Sequence, residues 1–286
     1  MTRAFSNISG LTRRNLLATS FFGSVFAALP GLAQAQAQTA ALLGAKRIPT
    51  PADSQSLAAY QASQAGVQFF DDFSSQASMQ ANWTVYTDDR PDLLACRSAD
   101  SLAPGPDGLT IDTVAATHCH DKWSTGQIIS RKGFLYGYFE AYMKIAPGPG
   151  LDNAFWLTTT NGSNDGSGDD FEIDIVEAMY PNDDHITLHR HNLHKWHDVG
   201  ELGFDHRASE PLSDNYNYYA ALWTRDSITF GLNGTAVGVI DTGGVITGPA
   251  NIHLSTALGK FGGPPPADPS GLAMHVKHVR VLAVQA

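Results

Sequence analysis

The sequence of 286 residues carries 18 Lys and Arg against 28 Asp and Glu, a formal charge of −10, with 43% hydrophobic and 16% charged residues. That apolar content supplies a full core and excludes a compositionally disordered chain. The acidic balance lacks the basic footprint that nucleic acid demands, so no nucleic-acid partner is expected.

The first charges are Arg3, Arg13 and Arg14, and none follows until Lys46. Thr12-Arg13-Arg14-Asn15-Leu16-Leu17 resembles a twin-arginine export signal. It leads into an apolar stretch, residues 16–32, moderated by Thr19, Ser20 and Ser24 and broken by Pro30, and then small-x-small cleavage sites at Ala33-Gln34-Ala35 and Ala35-Gln36-Ala37. An uncleaved membrane anchor is the competing reading, and the polar dilution and Pro30 weigh against it. Residues 1–37 are thus expected to be a signal peptide, the mature chain to be periplasmic or secreted, and no stable membrane association to remain after cleavage.

Residues 38–66 are rich in Ala, Gln and Ser, with Pro49 and Pro51 as helix breakers, and read as a linker or prosegment. A short helix fits residues 54–64, without an apolar stripe to commit it to a core. From Val67 the texture changes to short apolar segments punctuated by Gly, Pro, Asn and Asp, which predicts one all-β sandwich domain over 67–286. Cys96 and Cys119 are the only cysteines. An oxidising destination permits a disulfide between them, constraining the unfolded chain by about 3 kcal/mol, although sequence alone leaves open whether they meet.

Strands are predicted at 109–111, 127–130, 137–145 and 153–157, with a turn at Pro147-Gly148-Pro149-Gly150 and a loop at 161–170 loaded with Gly, Ser and Asp. The loop delivers the chain into Phe171-Glu172-Ile173-Asp174-Ile175-Val176-Glu177. The β-branched residues favour a strand, which puts Glu172 and Asp174 on one face and Ile173 and Ile175 on the other. Glu177 has the wrong parity, and a one-residue bulge near Ile175 or Val176 would return it to the face of the other acids. Like charges so crowded raise at least one carboxyl pKa, leaving a protonated acid beside an ionised one, the pair that glycoside hydrolysis requires. The bland alternative is an acidic edge strand that keeps the chain soluble. Further strands are predicted at 187–189, 218–223, 227–232, 236–240, 252–257 and 274–284, with Asn233-Gly234 as a hairpin turn.

Glu-Ile-Asp-Ile-Val-Glu resembles the active-site signature of glycoside hydrolase family 16 in its bulged form, typical of laminarinase-, agarase- and carrageenase-like members. The resemblance continues through Gly126-Gln127-Ile128-Ile129-Ser130, Phe134 to Ala141 and Ala154-Phe155-Trp156-Leu157, and Val67 to Phe73 resembles the family's first strand. It implies a jelly-roll sandwich of two antiparallel sheets with a concave cleft. It further implies a retaining mechanism with Glu172 as nucleophile, Glu177 as general acid/base and Asp174 tuning the nucleophile between them. Trp156 matches the family's cleft tryptophan, and His189 a position bordering the cleft. Trp123, Tyr180 and Trp196 are added as substrate-binding candidates by position alone, because sugar faces stack on aromatic rings.

Six of the eleven histidines fall between His185 and His206, and His118-Cys119-His120 forms a second group. Neither has a recognisable metal-ligand spacing, so no metal or cofactor is expected. Lys277 stands where relatives often place an Asp that ligates a structural calcium, and an ammonium cannot replace that oxygen. The expected protein is an exported, monomeric, retaining endo-β-glycanase acting on a polysaccharide, with β-1,3- or mixed-linkage glucan favoured. The alternatives are an agar- or carrageenan-type galactan hydrolase, a transglycosylase, or a non-catalytic glycan-binding module.

Overall fold

In the computed structural model, residues 46–159, 171–192, 195–244 and 246–284 are described, those of 184–201 by backbone alone. The export signal and its cleavage sites, and the loop at 161–170, lie outside the described residues. Strand β1 (Lys46–Arg47), helix α1 (Pro51–Ala62), β2 (Val67–Asp71), helix α2 (Gln76–Asn82) and β3 (Trp83–Val85) open the chain. Short strands β4 (Cys96–Arg97), β5 (Leu102–Gly105), β6 (Gly108–Asp112), β7 (Val114–Ala115) and β8 (Trp123–Thr125) follow. Then come the long strands β9 (Gln127–Phe134), β10 (Gly137–Lys144), β11 (Leu151–Thr159), β12 (Phe171–Met179), β13 (Asp183–Asn192) and β14 (Lys195–Arg207). The chain closes with β15 (Asn217–Trp223), β16 (Ser227–Leu232), β17 (Thr235–Asp241), β18 (Ala250–Leu258) and β19 (Ala273–Leu282).

Two antiparallel sheets form the sandwich. The front sheet has seven strands in the order β14-β13-β12-β11-β18-β9-β3, and the back sheet nine in the order β1-β17-β16-β15-β10-β19-β6-β5, with β2 also paired to β19. Alternation fills the space between them. Phe155, Leu157, Ile173, Ile252 and Leu254 of the front sheet meet Phe139, Met143, Trp223, Phe230 and Val281 of the back sheet in one buried cluster. Each such side chain contributes about 1.5–3 kcal/mol of transfer free energy, an upper estimate of what the compact unfolded chain loses. The expected jelly-roll sandwich is the fold observed. Asn233 and Gly234, both at positive φ (50° and 77°), make the tight turn between β16 and β17. Among the described residues, no helix is long and apolar enough to cross a membrane.

Two expectations are corrected. From residue 46 onward, the stretch read as an uncommitted linker or prosegment is packed structure. Its helix α1 starts where the Thr50 amide donates to Asp53 Oδ2 at 2.7 Å, with Pro51 at the first helical position. Leu57 and Tyr60 dock its apolar side. Leu57 is fully buried among Tyr138, Ala220, Ala236 and Leu282, and Tyr60 stacks on Tyr138 with ring centres 5.4 Å apart. The second correction concerns the stretch after 189, for which no strand was predicted before 218 and which forms the end of β13 and the long strand β14.

Candidate active site

The acidic strand β12 lies in the middle of the front sheet, between β11 and β13. Register fixes where its irregularity falls. Trp156 pairs with Asp174 and Phe155 with Val176, so Ile175 has no partner on β11. On the other side Asp174 pairs with Thr187 and Glu177 with His185, leaving Ile175 and Val176 opposite the single residue Ile186. This is the expected one-residue bulge. Ile175 and Val176 both enter the core, 2% and 1% exposed, and Glu177 returns to the face that carries Glu172 and Asp174. Burial of two consecutive aliphatic side chains is what makes the bulge favourable, since straightening the strand would turn one of them out of the core and Glu177 into it.

The three acids line a cleft of about 450 Å³. Its wall on β11 is the alternating set Asp152, Ala154, Trp156 and Thr158, and on β18 the set Asn251, His253, Ser255 and Ala257. Trp156 is half-buried; its Nε1 donates to Ser255 Oγ at 3.0 Å and its ring lies 3.9 Å from that of His253. Gln127 Nε2 stands 3.0 Å from His253 Nδ1. An amide nitrogen donates, so Nδ1 accepts and the imidazole proton sits on Nε2. Burial, then the nearby Arg97, pushes this imidazole down to about 3, so it is neutral across the working pH range. Opposite, Arg97 is ion-paired with Asp88 at 2.7 Å, and Arg90 with Asp92 at 2.7 Å. Tyr86 and Phe261, 40% and 46% exposed, stand at the cleft as further aromatic surfaces.

Asp152 is a fourth acid of the site, as deeply buried as Asp174, each 4% exposed. Burial, then the neighbouring Glu177 and Asp174, holds its carboxyl well above the usual range. The strand predicted at 153–157 begins one residue after Asp152, which falls between it and the turn predicted at 147–150. The signal that would have found it is the alternation Asp152, Ala154, Trp156, Thr158. The turn itself depends on Gly150, whose φ is +104° and where an added Cβ would meet Pro265 Cα at 2.4 Å.

The other predicted residues divide. His189 stands opposite Glu172 in the register of β13, and Trp196 lies in β14; their side chains are outside the described ones. Trp123 does not line the cleft: it packs on a small cluster of Ala95, Ala146, Leu151 and Leu258. Tyr180 does not line it either, being 41% exposed beyond the end of β12. Both guesses rested on nearness in sequence, and each residue sits at a strand end whose direction sequence does not fix. Cys96 and Cys119 form a disulfide that ties β4, which carries Arg97, to the loop before β8. His118 lies beside the two sulfurs. Because they are bonded to each other, neither offers a thiolate to a metal.

Residues 105–271 match the model of the family described as glycosyl hydrolases family 16. The endo-1,3-1,4-beta-glycanase EglC of Rhizobium meliloti (strain 1021) is 25% identical over 177 residues, 60% of this chain and 36% of that protein. The beta-glucanase of Brevibacillus brevis is 30% identical over 138 residues, 46% of this chain and 49% of that protein. The chain thus spans about a third to a half of the length of these relatives. Among solved structures, the laminarinase catalytic domain of Thermotoga maritima MSB8 superposes with a TM-score of 0.66 at 16% identity, covering 77% of this chain and 98% of that one. A family 16 endo-glucanase of Bacteroides ovatus gives 0.65 at 20% identity, covering 75% and 99%. Those two likenesses are of fold.

Proposed function

The chain belongs to glycosyl hydrolase family 16, and from that premise we propose that it is a retaining endo-β-glycanase cutting internal bonds of β-1,3- or mixed-linkage β-1,3-1,4-glucan. The observation that carries the reading is the bulge at Ile175, which gathers Glu172, Asp174 and Glu177 on one wall of an aromatic-lined cleft. The glucan preference is supported by the names of the two relatives, a 1,3-1,4-glycanase and a β-glucanase.

In this mechanism the Glu172 carboxylate attacks the anomeric carbon while Glu177 gives its proton to the departing glycosidic oxygen. The bond from carbon to that oxygen breaks as the ester to Glu172 forms. Water then attacks the same carbon, Glu177 takes the proton of that water, and Glu172 leaves as a carboxylate, so two inversions preserve the configuration. Asp174, between them on the same face, orients Glu172 and tunes it electrostatically. Trp156 offers its ring to a sugar face.

The test is reducing-end release from laminarin, lichenan, agarose and carrageenan, followed by azide rescue. Glu177→Ala with azide should yield a β-glycosyl azide from an activated aryl glycoside, and Glu172→Ala the α-azide. The reverse pattern exchanges the roles; binding to every polysaccharide without product makes the protein a glycan-binding module. Product from agarose or carrageenan alone would move the substrate to galactans, and dominant transfer to sugar acceptors would make the enzyme a transglycosylase. Export by the twin-arginine route, as a monomer active in the periplasm or medium, belongs to the same proposal. Changing Arg13 and Arg14 together to Lys should hold an uncleaved precursor in the cytoplasm, and normal export of that variant would refute the route.

A further inference from the structure

Ala154 pairs across the strands with Glu177, and Asp152, two residues earlier on the same face of β11, is its diagonal neighbour. On that face the residue paired with Glu177, Ala154, carries only a methyl group, and the Asp152 carboxyl lies within hydrogen-bonding reach of that of Glu177. Two carboxyl groups share a hydrogen bond only when one holds a proton. Everything around Asp152 assigns the proton to it. It is 4% exposed, its Oδ1 is sealed from solvent without a hydrogen-bond partner, and an ionised carboxylate there would leave that oxygen unsatisfied. From β12 it faces the carboxyls of Glu177 and Asp174, with Glu172 further along the same face. From β4 the guanidinium of Arg97 faces it, but that cation is ion-paired with Asp88. From β18 it stands opposite Ala257, with the neutral His253 further along that strand opposite Trp156, while Arg90 on the cleft wall is ion-paired with Asp92 and His185 stands opposite Glu177 by backbone register.

We propose that Asp152 is a positioning residue for the acid/base step, remaining a neutral carboxylic acid throughout turnover and donating its O–H to the carboxylate of Glu177. The inference rests on Glu177 being the acid/base. When Glu177 gives its own proton to the leaving oxygen, Asp152 keeps its proton, and its O–H becomes a charge-assisted donor to the new carboxylate. When water attacks, the water proton goes to Glu177 and Asp152 again transfers nothing. Asp152 therefore stabilises the base form of Glu177 beside Asp174, where a second anion would oppose it, and fixes the rotamer in which Glu177 meets the leaving oxygen.

The protonation state makes opposite predictions for two variants, read in the alkaline limb of the kcat/KM profile on lichenan. Asp152→Ala removes the donor, so the limb should move up by about one pH unit and kcat should fall roughly tenfold. Asp152→Asn keeps a neutral donor of the same shape, so the limb should stay within about 0.3 unit of the wild type and most of the lost rate should return. If Asp152 were ionised, Asp152→Asn would remove a negative charge beside Glu177 and move the limb down; that result overturns the proposal, as does an unmoved limb in Asp152→Ala. Should Asp152→Ala fail to fold by thermal melting, Asp152→Asn alone decides, since its limb either stays or moves down. Glu177→Ala on an activated aryl glycoside separates the premise: loss of the alkaline limb supports Glu177 as acid/base. Its persistence refutes that role, and the proposal with it, whatever the Asp152 variants do.

Discussion

The ring of Trp156 divides between two tasks, with one face against His253 at 3.9 Å and the other surface part of the cleft wall, while its Nε1 is held by Ser255. Because His253 is neutral, that contact is ordinary ring stacking without cation–π character. Trp156→Ala should therefore raise KM for a β-glucan about fivefold, the equivalent of about 1 kcal/mol of lost stacking on the sugar, with the thermal midpoint little changed. Steady-state kinetics alongside a melting curve check this, and a collapsed midpoint with unchanged KM would place the ring's role in packing. On the proposed assignment, Asp152 and Glu177, two carboxyls on neighbouring strands, take different roles because Asp152 is sealed beside anionic neighbours.

At the level of elements, what was legible in sequence followed from alternation, and what was missed lacked it. β16 was read to its observed limits, because its apolar residues run up to the Asn233-Gly234 turn. The acidic strand and its bulge were legible because three acids among Ile and Val leave one parity conflict, with one cheap solution. β14 was not legible: Gly200 and Gly203 dilute its apolar residues among Asp198, Glu201 and Asp205, and its pairing with β13 comes from partner strands, not from its own pattern. Tyr86 and Phe261 reach the cleft from loops, where no period assigns a face. Asp71 shows the same limit in a core role. It accepts from the Phe73 amide, Ser78 Oγ, Asn82 Nδ2 and Trp83 Nε1, at 2.7–2.9 Å, and so locks β2, α2 and β3 together. In sequence it is one acid of the pair Asp71-Asp72.

Across the whole molecule, a buried ion pair joins the back sheet to the segment before the predicted domain. Glu140 on β10 is fully buried and accepts from Arg280 Nε on β19 at 2.6 Å and from Tyr138 at 2.6 Å, while Arg280 also donates to the backbone carbonyls of Gln61 and Ser63 at the end of α1. Burial works against the Glu140 charge, but hydrogen bonds from His278, Arg280 and Tyr138 hold the carboxyl below its usual range. A carboxyl lowered on folding contributes stability that is present above its unfolded pKa and lost as pH falls through the folded one. Arg280→Met removes the main cation and leaves Glu140 buried, where its charge becomes a cost, so its pKa should rise above the unfolded value and the sign reverse. The variant should lose about 3–5 kcal/mol at pH 7, lowering Tm by roughly 10 °C, and the deficit should shrink as pH falls and Glu140 takes up a proton. Melting curves of both proteins between pH 4 and pH 7 measure this, and a deficit independent of pH would show that Arg280 acts through its carbonyl contacts to α1 instead. Adding Glu140→Met should recover much of the loss, because a paired apolar replacement leaves no buried charge behind. The part that it fails to recover then measures what Arg280 contributes to docking α1 on the sandwich.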